Sequence, residues 1–344
     1  MKKLRVLLLC HEDLVPPDSR EGFDPDVIHD WQSEYAVADA IRELGHDLQV
    51  LGVSDDVLPI GHCVAGFEPH VVFNQLVELR DVGAFAVHVV SYLELLGVPY
   101  TGCNPQGLTL ARDKGLSKKI LRYHRIPTPS FLVLPVGRKP RIPKRVAWPL
   151  IVKSLDEEAS RGVSQASIVW DAGALAERVE FVHRNVGTAA IAEQYVQGRE
   201  LTVSVLGNER LTTLPVWELR FASLPEGTEP IATERVKWDR DYQKRLGVEN
   251  VPAELPAELA KRIARVARRS YRALALSGYA RLDLRLSEDG RIHVIEANPN
   301  PDLMDDEDLA LAAASVGIAY PRLIQRIIQL GIAYRAPGRR EIAG

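Results

Sequence analysis

Cysteine is scarce in this sequence: Cys10, Cys63 and Cys103 are the only three in 344 residues. An odd number at such wide spacing fits neither a disulfide framework nor a zinc ribbon, and it suits a reducing compartment. An excess of one charge is also missing. The 43 lysines and arginines face 46 acids, for a net charge of −3, which argues against a globally basic nucleic-acid binder. Long apolar runs are lacking too. Val6–Cys10 has five residues, too few for the apolar part of a secretion signal, and no later stretch nears the roughly 18 needed to cross a bilayer. A cytoplasmic protein without membrane contact is the expectation. GxxxxGKS/T, GxGxxG, HExxH and GxSxG are all absent, so P-loop, dinucleotide-fold, zincin and serine-hydrolase readings lack their signatures.

What is present is an ordinary globular composition, 46% hydrophobic and 26% charged, long enough for two or three domains at roughly 100–200 residues each. LRVLLLC reads as a fully buried strand. A helix at 33–44, strands at 48–53 and 70–76 and an apolar helix ending at Gly97 follow. This alternation argues a small parallel-sheet α/β unit, with PYTGCNP as its exit. One helix is expected over 108–124, then strands at 148–155 and 189–196 around a polar loop, DEEASRGVS. A hairpin turning at Gly207–Asn208 opens the last segment. A long irregular stretch covers 221–257, and then come a helix stopped by Gly278, a second hairpin and two short helices at 306–316 and 321–330. The boundaries fall at 1–104, 105–196 and 197–344.

The second hairpin, ARLDLRLSEDGRIHVIEAN, carries the most chemistry. Asp289–Gly290 is a strong two-residue turn signal. It pairs Glu288 with Arg291, and so places Asp283 opposite Glu296 and Arg281 opposite Asn298 on one face. Leu282, Leu284, Leu286, His293, Ile295 and Ala297 take the other. Opposed carboxylates destabilise a sheet unless a cation lies between them. Their oxygens, with that of Asn298, suit Mg²⁺; equally, Arg281 and Arg285 could neutralise a solvent-facing pair. Lys153 at a strand end and Lys114 in a helix could hold phosphate as point charges, aided by the Ser160 hydroxyl and the backbone at Gly162; each alone also reads as a surface lysine. Glu193 and Glu200 lie seven residues apart, one ending a strand and one opening the next. Five arginines between 261 and 272 read as a solvated helix face.

Taken together these segments resemble the ATP-grasp superfamily, specifically D-alanine–D-alanine ligase and its relatives, over nearly the whole chain. SYLELLGVPYTGCNPQGLTLARDK, WPLIVKSLDEEASRGVS, IAEQYVQGRELTV, ERVKW, GYARLDLRL and HVIEANPNPDL carry the likeness. It implies an α/β fold that is α+β in its ATP-binding part: an N-terminal parallel domain and two subdomains gripping ATP. It implies that Lys114 and Lys153 hold phosphate, with Ser160 and Gly162 in the mobile loop over it. Glu193 and the backbone at Tyr195–Val196 would meet adenine, and Glu200 the ribose. Lys237 would close over the phosphates and Arg281 would hold the reacting phosphoryl group. Asp283, Glu296 and Asn298 would bind two Mg²⁺, with Mn²⁺ as an alternative ion.

The implied activity is ATP-dependent carboxylate–amine ligation through an acyl phosphate. Its substrates would be small molecules, an amino acid or small peptide and an amine, and the protein a homodimer that binds no nucleic acid. Two features depart from the family. The loop after β-strand WPLIVK is acidic (Asp156, Glu157, Glu158). The segment after EAN reads NPDLMDDEDLALAAA, where the ligases carry small and hydroxyl residues that grip the second substrate's carboxylate; its acids should repel one. Asp305 is expected to cap the next helix, with Asp305 and Asp306 as candidate substrate residues. Glu34 could meet a substrate amine. The acidic run also motivates a ligase acting on a larger amine or a protein terminus. An ATP-binding regulatory protein without turnover is the alternative from another class.

Overall fold

The computed structural model describes residues 2–138, 142, 146–157 and 160–336. Glu158 and most of the basic connector at 139–145 lie outside them. The chain opens with β1 (Arg5–His11), α1 (Pro25–Asp30), α2 (Gln32–Glu43), β2 (Asp47–Val53), α3 (Leu58–Phe67), β3 (Val71–Asn74) and α4 (Ala86–Leu96). β1 lies centrally in a parallel sheet, order β2-β1-β3. Its run Val6–Cys10 is fully buried because helices cover both faces, which is why it shows no alternation. The expected exit segment adds a parallel bridge from Tyr100 to Val72.

The stretch expected as one helix is two: α5 (Pro105–Arg112) and α6 (Lys114–Tyr123). Asp113 breaks it. Its backbone is extended, and its side chain caps α6 by accepting from Leu116 N, the role that short acids take at helix starts. β4 (Phe131–Leu134), β5 (Leu150–Ser154), β6 (Ile168–Val169), α7 (Ala172–Phe181) and β7 (Ala190–Gln194) follow, the strands making an antiparallel sheet, order β4-β7-β5-β6. The third sheet contains β8 (Arg199–Leu206), β9 (Thr212–Thr213), β10 (Trp217–Phe221), β11 (Val248–Pro252), β12 (Tyr279–Leu286) and β13 (Ile292–Pro299). Its path is β11-β10-β8-β12-β13, with β9 also on β8. The stretch expected to be irregular holds β11 and two short capped helices, α8 (Glu234–Trp238) and α9 (Arg240–Leu246).

α10 (Ala257–Ala273) lays Ile263, Ala267 and Tyr271 on the back of this sheet, against Val203, Leu282 and Leu284. Its arginines serve the chain itself. Arg262, Arg268 and Arg269 donate to Gly290 O, Thr213 Oγ1 and His124 O. The last helices, α11 (Asp308–Ala314) and α12 (Tyr320–Ala333), turn back to the start of the chain: Leu323, Ile324, Ile327 and Ile328 share one buried cluster with Val6, Leu8, Val37 and Ile41.

The hairpin β12–β13 differs from its expected form in two ways that cancel. Its loop has three residues, Glu288–Gly290, closed by Ser287 N donating to Arg291 O at 3.0 Å. Gly290 sits at φ +74°, the left-handed position that three-residue loops require. The odd loop shifts the ladder by one, so that Leu286 meets Ile292 and Leu284 meets Val294. A bulge next to Asp283 then restores the register, with Asp283 opposite Glu296 and Arg281 opposite Asn298. Ile292 and Val294 therefore fill the core, while Ile295 faces the cleft, correcting the expectation that His293 and Ile295 share the apolar face.

Candidate active site

A cleft of about 550 Å³ lies between the central and third sheets. In β5, Leu150 and Val152 are buried, so period two turns Ile151 and Lys153 to the cleft. β8 and β12 pair Glu200 with Arg285, Thr202 with Asp283 and Ser204 with Arg281, and β13 adds Glu296 and Asn298 to the same face. α6 begins at Lys114 and α8 brings Lys237. Lys114, Lys153, Lys237 and Arg281 thus meet Asp283 and Glu296 in one space.

Arg281 holds Asp283 in a fork, Nε to Oδ1 at 2.8 Å and Nη2 to Oδ2 at 3.1 Å. Asn298 donates to Asp283 Oδ2 at 2.9 Å. Lys114 Nζ stands 3.8 Å from Glu296 and donates to Glu157 O at 2.6 Å. Burial alone would raise the Glu296 pKa. Lys114, Lys153, Lys237 and Arg281 outweigh it and hold the carboxyl well below its ordinary range, so Glu296 is an anion at any working pH. Asp283, Glu296 and Asn298 supply oxygen donors only, on one face and side by side; this donor set fits a hard divalent cation.

Arg285 turns away from the paired acids. It bonds Glu200 Oε2 at 2.7 Å and Pro230 O at 2.7 Å, with its guanidinium 5.6 Å from the Tyr195 ring. Tyr195 OH donates to Glu229 at 3.0 Å and its backbone N–H to Pro149 O; Val196 lines the cleft beside it. Glu193 is 1% exposed and tied from behind by Lys118 at 3.3 Å and Lys153 at 3.4 Å. Lys118 was missed in the sequence. It is fully buried, donates to Ile295 O and Thr128 Oγ1, and is pushed down to about 8 by burial. Its signal was available: it follows Lys114 by four residues, on the same helix face. Ser160 lines the cleft, with φ +58°. Gly162 does not; its N–H donates to Glu234 and its carbonyl accepts from Arg178.

The acidic segment separates into two parts. Asp305 and Asp306 are exposed in a turn, off the cleft wall. Asp305 does not cap α11, whose N-cap is Glu307 without a side-chain bond. Asp302, Glu307 and Asp308 line the cleft instead. Asp308 Oδ2 lies 3.5 Å from Arg281. Glu307 is raised to about 7 by burial and by Asp308 and Asp302. Glu34 is buried just behind Asp302 rather than on the wall, and burial raises it to about 7.

Comparison with known proteins bears on the family and the fold. The family model described as D-ala D-ala ligase C-terminus matches residues 122–329. A Sinorhizobium fredii protein, the uncharacterized y4sG, is 33% identical over 265 residues, covering 77% of this chain and 75% of its own. The D-alanine–D-alanine ligase of Bordetella petrii is 33% identical over 239 residues, 69% of each chain. A crystal structure of D-alanine–D-alanine ligase from Bacillus anthracis complexed with ATP superposes with a TM-score of 0.73 at 24% identity, covering 96% of this chain and 97% of that one; it shares the ATP-grasp fold expected from the sequence. The chain is a member of the D-alanine–D-alanine ligase family.

Proposed function

We propose that this protein is an ADP-forming carboxylate–amine ligase that joins an amino acid or small peptide to an amine through an acyl phosphate. The observation that carries the reading is the convergence of Lys114, Lys153, Lys237 and Arg281 on the opposed pair Asp283 and Glu296. Phosphoryl transfer asks for positioning and charge neutralisation more than for covalent chemistry by the protein, and a cluster of this kind provides both. Lys114 and Lys153 would hold phosphates of ATP, with the Ser160 hydroxyl beside them. Lys237 would close from α8. Glu200, aligned by Arg285, would accept from the ribose hydroxyls, and Tyr195–Val196 with Glu193 would frame the adenine. Asp283, Glu296 and Asn298 would hold Mg²⁺, which when bound draws charge from the phosphate oxygens. A substrate carboxylate attacks the γ-phosphorus, and ADP leaves. The amine then attacks the acyl carbon, and phosphate departs as the amine loses its proton.

The residue ranges 1–104, 105–196 and 197–344 remain the proposed domains, each with one sheet. Exposed Leu58, Val77 and Leu95 in the first of them support a homodimer, and the three free cysteines support a reducing, cytoplasmic setting. Among the described residues no helix is long and apolar enough to cross a membrane. The reading is tested by ADP release from ATP with D- and L-amino acids and hydroxylamine, which traps an acyl phosphate as a hydroxamate. Hydroxamate that requires both ATP and one of the acids is the expected result. Tight nucleotide binding with no ADP for any acid would leave the regulatory reading instead.

A further inference from the structure

Beyond Arg281 the wall of the cleft is made of Asp302, Met304, Glu307 and Asp308. This is where the family resemblance leads one to look for groups that grip the second substrate's carboxylate, and the wall is acidic. Arg281 itself is already engaged, with a two-bond fork to Asp283 and a second carboxylate, Asp308, at 3.5 Å. A carboxylate arriving there would have to displace Asp308 and lie against Glu307 and Asp302. Asp308 is 7% exposed, and its Oδ1 is buried without a hydrogen-bond partner. Asp308 lines the cleft with Thr202 beside its carboxyl group. Asp302 is oriented by Ser33, which donates to its Oδ1 at 2.9 Å and is itself held by Gln75 at 3.1 Å. Among the described residues, Arg281 and, from α8, Lys237 are the cations that act on Asp308; under the ligase reading both would face the phosphoryl group.

We infer that the acceptor is a diamine-type amine: a nucleophilic primary amine carrying a second ammonium group and no carboxylate near the attacking nitrogen. Glu307 and Asp302 are its specificity residues. The second ammonium rests between them, and Asp308, 3.5 Å from Arg281, occupies the guanidinium that a carboxylate would otherwise seek. The attacking amine, in its neutral form, makes the C–N bond to the acyl carbon; the carbon–oxygen bond to phosphate breaks, inorganic phosphate leaves, and the extra amine proton passes to solvent. The second ammonium takes no part in the bond change. The inference rests on the ligase reading above and would fall with it, but the two fail differently.

The test uses the full-length protein, ATP, Mg²⁺ and the acid that gives hydroxamate. Putrescine, butylamine, γ-aminobutyrate and D- and L-alanine are compared as acceptors by kcat/KM from phosphate release and product mass. Putrescine is expected to exceed γ-aminobutyrate, which replaces one ammonium by a carboxylate, by at least about tenfold, with butylamine between them. Glu307→Gln, at a position whose side chain makes no capping bond, is expected to narrow that ratio by about tenfold. Free alanine or γ-aminobutyrate serving as well as putrescine overturns the assignment, and so does an unchanged ratio in Glu307→Gln. Absence of hydroxamate with every acid overturns the ligase reading itself.

Discussion

Glu296 stands under a strong electrostatic constraint, with four cations within its field. Glu296→Gln keeps the shape and removes the charge. Turnover should fall at least about a hundredfold, with an unchanged far-UV circular dichroism spectrum; full activity would remove the residue from the site. Glu34 offers a separate test. The folded protein keeps its proton up to about pH 7, whereas the ordinary value is 4.5. Its proton is thus retained by the native state and lost by the unfolded chain between those values, so its contribution to stability falls as pH rises through that window. Glu34→Gln should match the parent at pH 4 and exceed it at pH 8, by up to about 3 kcal/mol, in urea titrations at the two pH values. Which residues bear charge was legible in the sequence; which way they turn was not. Arg285 and Asp308 show why. One pairs with Glu200 across β8 and the other with Arg281 across a loop, and no local pattern records a partner that far along the chain.

At the scale of elements, α6 is the connector between two sheets. Lys118 reaches Glu193 on β7 and the bulged carbonyl of Ile295 on β13. Breaking a buried pair from one side leaves the other charge short of partners. Lys118→Met should cost about 3 kcal/mol in urea unfolding, and Glu193→Gln added to it should restore part of that loss; a double variant no more stable than the single would remove the pair as the cause. β1 and β5 were readable because burial imposes an unbroken apolar run on the one and period two on the other, whereas α3 and β4 were not expected. The loop of the β12–β13 hairpin was misjudged by one residue. The facing of Asp283 and Glu296 nevertheless came out as expected, because the bulge offsets the odd loop. Bulges of this kind re-aim side chains next to active sites and leave little trace in a sequence. The short helices α8 and α9 escaped for a different reason: each is held by its caps, Thr233 and Asp239, rather than by a periodic apolar face.

For the whole molecule, the decisive contact joins the two ends of the described chain. Ile324 on α12 is fully buried in the cluster that also holds Val6, Leu8 and Ile41. Ile324→Ala should destabilise by about 2–5 kcal/mol. If the first sheet and α12 form one cooperative unit, hydrogen exchange at the amides of Val6–Cys10 should speed up by the matching factor, while β7 changes less.

The same contact has a consequence for biosynthesis. A ribosome delivers β1, α2 and β3 early, but the helix that seals their apolar side emerges only after both later sheets have been made. During that interval α2 alone covers the side of the nascent sheet that α12 later seals, so that side is completed only when α12 arrives.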